Sequence, residues 1–169
     1  MTLLNPKIKI FTFALTLASL FFCSNESIFA QKKTPQFKNY PVAEIYKGKN
    51  APLKLTRDDK MFRTRLKWAV DNQKPNFAGH YILTTWGCGA QCVAGAVIDS
   101  KTGKVSWWGF SVCCSSLSVD DVIEFRTNSK LIIFFGLRNE KDGDDGAHYY
   151  KFENGRFVHL QSVLSEEQL

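Results

Sequence analysis

The sequence predicts an α+β fold in which one N-terminal amphipathic helix packs on an antiparallel β-meander of about seven strands, stapled by disulfides. Three observations support this prediction. One stretch has the apolar spacing of a helix, the chain after it alternates β-type runs with turn sequences, and four of the five cysteines lie beyond an export signal. A meander of this kind either closes into a small barrel or splits into a sandwich, and the sequence leaves both open.

The first thirty residues have the pattern of a secretory signal peptide. Lys7 and Lys9 are basic, an apolar run extends from Ile8 to Phe22, and Ala30 offers a small residue for cleavage. The apolar run is shorter than the about 20 residues that a transmembrane helix needs. We therefore predict that residues 1–30 are removed and that the protein is exported, either periplasmic or secreted.

The charge that remains after cleavage is moderately positive. The whole chain has 22 basic and 16 acidic residues, and removing Lys7, Lys9 and Glu26 leaves a net charge of +5. This charge favours acidic partners at long range, such as the anionic polymers of a cell envelope, although excess lysine also fits an ordinary solvated surface. Nucleic acid is not expected as a partner, since the chain is exported and has no basic-aromatic motif.

Three segments follow the predicted signal peptide. Residues 31–50 form a polar arm that includes Val42–Tyr46 as a candidate edge strand. Residues 51–164 form a single α+β domain, because no linker, repeat or low-complexity tract interrupts them. Residues 165–169 form a polar tail, which we expect to fray.

The predicted helix extends over Asp58–Asn72. It begins with a capping box, in which Thr56 can accept a backbone amide of the first turn and Asp59 can reach back. Pro75 forces an end. One face is an apolar stripe at helical spacing, formed by Phe62, Leu66, Ala69 and Val70. The other face carries Lys60, Arg63, Lys67 and Lys74, which either serve solubility or contact an anionic ligand.

Three hairpins and a further strand account for the rest of the domain. Asn154-Gly155 is the strongest two-residue hairpin signal. Asp99 and Gly103 belong to another turn, in which Asp99 bonds the downstream backbone and Gly103 takes a positive φ. The predicted strands are Tyr81–Trp86 with Val93–Ile98, Lys104–Phe110, Val122–Phe125 with Leu131–Leu137, and Ala147–Phe152 with Arg156–Val163.

Four motifs in this order resemble a family of small exported bacterial proteins of no known function. They are Arg63-Thr-Arg-Leu66, Pro75-Asn-Phe-Ala-Gly-His-Tyr81, Trp86-Gly-Cys-Gly-Ala-Gln-Cys92, and Asp99 through Thr102-Gly103. The resemblance covers roughly Arg63 to Leu160 and implies an exported α+β domain. It implies no catalytic residue, substrate or cofactor.

Four cysteines remain after cleavage: Cys88, Cys92, Cys113 and Cys114. An even number in an exported chain indicates disulfides, with three connectivities open. The simplest prediction links the Cys88–Cys92 loop to the vicinal pair, because neighbours on a strand face opposite ways. A redox dithiol and a four-thiolate zinc site are less favoured, since the spacings differ from those motifs. We predict no metal and no cofactor.

Two other groups of residues are candidates for a catalytic centre or a calcium site. His80 and Cys88 belong to the same hairpin arm, so a thiol enzyme centred on them is the alternative function, provided that Cys88 is unpaired. The loop Asn139–Gly146 holds Asp142, Asp144 and Asp145 among glycines, but its register does not match a calcium-binding loop. A solvated loop is therefore favoured there over weak calcium binding.

The residues favour binding over catalysis, because no complete catalytic constellation is present. Flat aromatic side chains stack on sugars and hold peptides, and exposed apolar patches mark interaction sites. We predict a binding module for an envelope glycan, an anionic polymer or another exported protein, including an exported enzyme that it would inhibit. The candidate binding residues are Trp86, Trp107, Trp108, Arg63 and His80.

Overall fold

The computed structural model describes residues 33–165. The predicted signal peptide and all of the predicted tail except Ser165 lie outside the described residues. Short 3-10 turns occupy Phe37–Asn39 and Asp58–Phe62, and one α-helix, α1, occupies Arg63–Asn72. Within residues 33–165, no helix has both the length and the apolar character needed to cross a membrane.

The predicted helical segment is confirmed, with a 3-10 first turn in place of regular α-helix. The backbone N–H of Thr56 donates to Asp59 Oδ2 at 2.7 Å, and that of Asp59 donates to Thr56 Oγ1 at 3.4 Å. These are the reciprocal bonds of the predicted capping box. The helix is not N-terminal, however, because α1 begins only at Arg63, after a long and mostly irregular arm.

Nine strands follow α1, so the fold is mostly antiparallel β. They are β1 Tyr81–Gly89, β2 Cys92–Asp99, β3 Val105–Trp107, β4 Val112–Cys113, β5 Ile123–Phe125, β6 Leu131–Phe135, β7 Leu137–Arg138, β8 Gly146–Glu153 and β9 Arg156–Leu164. All three predicted hairpins are present, as β1–β2, β5–β6 and β8–β9. Asn154 and Gly155 both have positive φ, at 52° and 72°, as a type I′ hairpin turn requires.

The count of about seven strands was wrong because Gly136 divides one predicted strand, and because β4 follows the predicted end of another at Phe110. Gly109 has φ 84° and ends the strand predicted to reach Phe110. Gly136 has φ 116° and separates β6 from β7, and a Cβ there would collide with the carbonyl oxygen of Cys113. Only glycine takes such a conformation without strain. The break at Gly136 lets the chain leave one sheet and pair with the other.

The strands form two sheets rather than one meander. The first has the order β1-β2-β4-β7, with β3 also paired to β2, and the second has the order β5-β6-β8-β9. One buried cluster contains side chains from both sheets, including Leu83 and Val97 from the first and Phe134 and Phe152 from the second. The sequence left a small barrel and a sandwich open, and two sheets that share one core form a sandwich.

The helix covers the outer face of the first sheet. Leu66 and Ala69 of α1 pack with Ile82 of β1 and with Ala96 and Ile98 of β2. A third cluster lies on the outer face of the second sheet, where the arm contributes Phe37 and Tyr40. Residues 33–165 are therefore layered as helix, sheet, sheet and arm.

The predicted edge strand in the arm was wrong, and Ser165, the part of the predicted tail that the structure describes, is held in the fold. Val42–Tyr46 is not a strand, because its backbone bonds to loops, with Val42 N–H donating to Asn128 and Tyr46 N–H donating to Gly79. Ser165 is buried rather than frayed, and its N–H donates to the Asp145 carbonyl at 2.9 Å.

Candidate functional site

A tight loop before β1 positions His80. The backbones of Phe77 and Tyr81 exchange two hydrogen bonds of 3.0 Å, so Ala78, Gly79 and His80 form a three-residue loop between them. Ala78 and Gly79 have φ of 43° and 85°, and a Cβ on Gly79 would lie 2.6 Å from the Glu44 carbonyl oxygen. The Phe-Ala-Gly-His-Tyr sequence is thus accounted for by a turn that the arm covers closely.

The side chain of Asn76 fastens this loop to the first sheet. Its Nδ2 donates to the Leu83 carbonyl at 3.1 Å, and its Oδ1 accepts the Leu83 N–H at 2.7 Å. Its own carbonyl accepts the Thr127 hydroxyl at 3.0 Å. Because both sheets hold the loop, His80 lies on rigid backbone at their junction.

His80 is neutral at neutral pH. Its side chain is 28% exposed, and its Nε2 lies 3.8 Å from Asp99 Oδ1. Burial lowers the pKa of His80, and the nearby ammonium of Lys101 lowers it further. The attraction of the Asp99 carboxylate raises the pKa, but not enough to return it to the ordinary value. The Asp99 carboxylate is occupied by its predicted turn, accepting the backbone N–H of Lys101 at 2.8 Å. A neutral imidazole presents one donor and one acceptor to a ligand.

A cleft of about 490 Å³ opens beside His80, between the arm and both sheets. Tyr81 and Phe152 contribute aromatic surface to it, and their rings meet edge to face at 4.7 Å. Burial raises the pKa of Tyr81, whose hydroxyl therefore stays protonated. The other lining residues are Val42, Ala43, Glu44, Ala78, Lys101, Lys130, Glu153 and Asn154.

The charges that line this cleft are paired with one another. Lys101 Nζ donates to Glu44 Oε1 at 2.8 Å, and Lys130 Nζ lies 3.8 Å from Glu153 Oε1. The hydrogen bond from Lys101 lowers the pKa of Glu44, so both members of that pair are charged. Two ion pairs flank an aromatic surface, and the cleft as a whole carries no net charge from these four residues.

Sequence reasoning found His80 but missed these four charged residues. Glu44 and Lys101 are 57 residues apart, with Glu44 in the irregular arm and Lys101 in the turn that begins at Asp99. Only the packing of the arm against the turn after β2 brings them together.

The predicted tryptophans do not form one exposed face. Trp86 and Trp107 pack against Phe62 beneath α1, with ring centroids 5.3 and 4.9 Å from it. Trp108 is only 6% exposed and packs in the core between the sheets, where its Nε1 donates to the Phe110 carbonyl. Trp108 is therefore not available for binding at the surface, since neighbouring residues of this strand face opposite cores.

Arg63 lies in a separate shallow depression beside α1. It lines about 510 Å³ together with Leu53, Leu55, Lys60 and Lys67, among others. None of these residues lines the cleft beside His80. The structure thus divides the five predicted binding residues among the cleft, the space beneath α1, the core and this depression.

The cysteines pair locally rather than across the two loops. Cys88 bonds Cys92 across the β1–β2 turn, and Cys113 bonds Cys114 at the end of β4. The predicted link between the two loops is wrong because Cys114 has φ 56°, which ends the strand and turns the vicinal side chains toward each other.

The alternative of a Cys88/His80 centre has no geometric support. Cys88 is paired with Cys92, and His80 lies just before the opposite end of β1. Eight residues of extended strand separate the two by roughly 26 Å. The structure does not bring this nucleophile and base together.

The aspartates of the loop before β8 act within the fold. Asp144 accepts two hydrogen bonds of 2.7 Å from the Arg138 guanidinium, and Asp145 accepts the Ser116 N–H at 3.1 Å. Both aspartates are buried, whereas Asp142 is exposed, so this is not the fully solvated loop that we expected. Among residues 33–165, no group of three or more His, Cys, Asp or Glu side chains could hold a metal ion.

A buried histidine joins this loop to β9. His148 Nε2 lies 2.9 Å from the Gly136 carbonyl and 2.8 Å from the Asp144 carbonyl, so it carries the proton and donates to them. Its Nδ1 then accepts the Ser162 hydroxyl at 2.8 Å, and His159 Nε2 donates to the Ser162 oxygen at 2.9 Å. Sequence reasoning missed this chain, since neither histidine has a spacing signal.

The chain matches no protein-family model, no curated protein and no solved structure. The resemblance carried by the four sequence motifs therefore stays a prediction.

Proposed function

We propose that this protein is an exported, non-catalytic binding module of the cell envelope, and that the cleft beside His80 takes a neutral glycan. The observation that carries the proposal is an aromatic surface flanked by two ion pairs, in a cleft of about 490 Å³. Cavities of about 300–1,000 Å³ suit small ligands and segments of larger ones.

The paired charges favour a neutral ligand over an anionic polymer at this site. An anionic polymer is attracted by cations that lack a carboxylate neighbour, whereas Lys101 is bonded to Glu44 and Lys130 lies near Glu153. A sugar, in contrast, can hydrogen-bond both members of each pair without displacing a charge.

The aromatic and polar groups suit the two faces of a sugar ring. The C–H face of a pyranose can pack on the aromatic surface of His80 and Tyr81, whose ring centroids lie 4.0 Å apart, and its hydroxyls can reach His80 and Asn154. Neutral His80 can both donate to and accept from hydroxyl groups. The mixture of one apolar surface and several hydrogen-bonding groups is typical of ligand sites.

The two disulfides support the exported location. Disulfides persist in oxidising compartments and are rare in the cytosol. Cys88–Cys92 and Cys113–Cys114 together use every cysteine of the described chain. Fractionation of cells that express the chain with its own first thirty residues tests this directly, and a cytosolic location would contradict it.

A titration monitored by two-dimensional NMR tests the ligand class. The probes are the trimer of N-acetylglucosamine, as a neutral glycan, and inorganic polyphosphate, as an anionic polymer. We expect the trimer to shift the amide signals of His80, Tyr81 and Asn154, and polyphosphate to leave them unchanged. Shifts at these amides with polyphosphate alone would contradict the proposal.

Variants separate stacking from hydrogen bonding in the same titration. Tyr81→Ala should weaken binding about tenfold and Tyr81→Phe little, because the ring supplies the contact. His80→Ala should weaken glycan binding about fivefold through a lost hydrogen bond. Because this variant keeps Tyr81, it also tests the cleft if Tyr81→Ala does not fold. Trp68→Ala is the matched control, since Trp68 does not line the cleft. Equal losses in the control and in the cleft variants would overturn the assignment.

A further inference from the structure

The helical segment exposes two large apolar side chains, Met61 in the 3-10 turn Asp58–Phe62 and Trp68 in α1. Met61 is 84% exposed and Trp68 is 57% exposed. Arg65 and Trp68, three positions apart on α1, line one shallow depression, and Met61 lies in the 3-10 turn that precedes them. Leu66 and Ala69 of α1 are instead fully buried against the first sheet.

The helical segment that exposes Met61 and Trp68 is rich in cations. From Arg57 to Lys74 the sequence has six basic and three acidic residues, and one of the three, Asp59, is buried. Within the described part of the chain, Arg57, Lys60 and Arg63 have no carboxylate within ion-pair distance. They therefore differ from Lys101 and Lys130 of the cleft, which have carboxylate neighbours.

The two remaining cations of α1 are only partly engaged. Lys67 pairs with Asp71 at 2.6 Å, but both side chains are at least half exposed. Arg65 lies over the Trp86 ring at 5.4 Å and remains exposed to solvent. We name the surface formed by Arg57, Lys60, Met61, Arg65 and Trp68 the outer helix face.

We propose that the outer helix face docks on the surface of a bilayer that contains anionic lipids. Unpaired cations attract anionic headgroups, and tryptophan favours the depth of the headgroup region, where its ring is half apolar and half hydrated. Met61 would enter the same layer. A soluble anionic polymer would satisfy the cations but would leave Met61 and Trp68 in water, and for this reason the bilayer is favoured.

This docking is independent of glycan binding. The outer helix face and the cleft beside His80 share no residue, and they differ in charge pairing. Docking through α1 would leave the cleft free to hold a glycan near the membrane surface. The two sites can therefore fail separately in experiments.

Vesicle sedimentation of the purified exported protein tests the proposal. The probes are vesicles of equal parts phosphatidylcholine and phosphatidylglycerol, and vesicles of phosphatidylcholine alone. We expect binding to the mixed vesicles, loss of binding in high salt, and a decrease of about fivefold in partitioning for each of Arg57→Gln and Lys60→Gln. Equal binding to both kinds of vesicle would overturn the electrostatic part of the proposal.

Quenching by lipids with brominated acyl chains tests the depth of Trp68. Tryptophan fluorescence should be quenched in bound wild type and much less in bound Trp68→Phe, since Trp86, Trp107 and Trp108 are packed within the protein. Val158→Ala is the matched apolar control, because Val158 is 49% exposed on β9. The proposal would be overturned if Val158→Ala lost as much vesicle binding as Trp68→Ala. It would also be overturned if the protein bound polyphosphate but not vesicles.

Discussion

Trp107 Nε1 donates a 2.8 Å hydrogen bond to Asp59 Oδ1, across 48 residues of sequence. The same carboxylate accepts the backbone N–H of Thr56, so one buried aspartate both caps the helical segment and ties it to β3. Burial by itself raises the pKa of Asp59, but the hydrogen bonds from Trp107 and Thr56 outweigh this and lower it overall. The carboxylate is thus charged and stabilises the helix start.

Replacing Trp107 with phenylalanine should destabilise the protein by about 2 kcal/mol, because it removes a donor from a buried charge. Urea unfolding followed by circular dichroism measures this change in the free energy of unfolding. Asp58→Asn is the control, since Asp58 is exposed and should change stability by less than about 0.5 kcal/mol. Similar losses in the two variants would show that the Trp107–Asp59 bond has no special role.

Acid should destabilise the protein through His148. Burial lowers the pKa of His148 from its ordinary 6.5, and the positive charge of Arg138 lowers it further. The hydrogen bonds to carbonyls and the attraction of Asp144 raise the pKa, but they do not outweigh burial. The unfolded chain therefore takes up a proton near 6.5 that the folded chain refuses, so stability is lost as the pH falls below this value. Melting temperatures measured between about pH 7 and pH 5 should decrease accordingly.

The variant His148→Gln separates this effect from other titrations. It should be less stable at neutral pH but should show a flatter pH dependence over the same range. His159→Gln, at an exposed position, should keep most of the wild-type dependence, although burial also lowers the pKa of His159. An unchanged pH dependence in His148→Gln would contradict the assignment.

Removal of Arg138 should be costly. Its guanidinium forms a bidentate pair with Asp144 and also donates to the Tyr150 hydroxyl at 2.6 Å. The bond to Arg138 lowers the pKa of Asp144, so Arg138→Met leaves a largely buried carboxylate unpaired and should cost about 3 kcal/mol. Lys67→Met breaks the exposed Lys67–Asp71 pair and should cost no more than about 0.5 kcal/mol. Chemical denaturation of both variants tests the contrast.

Peptide mapping without reductant should find two local disulfides. Trypsin cleaves after Lys101 and Lys104, so the Cys88–Cys92 and Cys113–Cys114 pairs fall in separate peptides. Each peptide should have the mass of its oxidised form. One larger species that joins the two peptides would instead support the cross-link between loops.

Local pairing also lowers the expected stability contribution of the Cys88–Cys92 bond. In the chain-entropy model, a loop of this size contributes about 2 kcal/mol, compared with more than 3 kcal/mol for a loop of about 25 residues. The double variant Cys88→Ser with Cys92→Ser should therefore lose about 2 kcal/mol in denaturant unfolding. A loss nearer 4 kcal/mol would indicate a role beyond loop closure.

Much of the secondary structure was predictable because it depends on local chemistry. The Thr56–Asp59 capping box, the apolar stripe around Leu66 and the positive φ of Asn154 and Gly155 are consequences of neighbouring residues. The strand ends at Gly109 and Gly136 were not predicted, because a glycine inside a β-type run can take either a negative or a positive φ.

The sequence by itself determined the helical segment, the three hairpins and the turn at Asp99, since hydrogen bonds and apolar spacing within a few residues decide them. Only the tertiary structure decided the two-sheet arrangement, the local pairing of the cysteines and the burial of Trp108. It also decided the cleft, where Glu44 meets Lys101 and Lys130 lies near Glu153. Apart from the cysteine pairing, which follows the backbone turn at Cys114, these features join segments far apart in the chain, and such contacts depend on how whole layers pack.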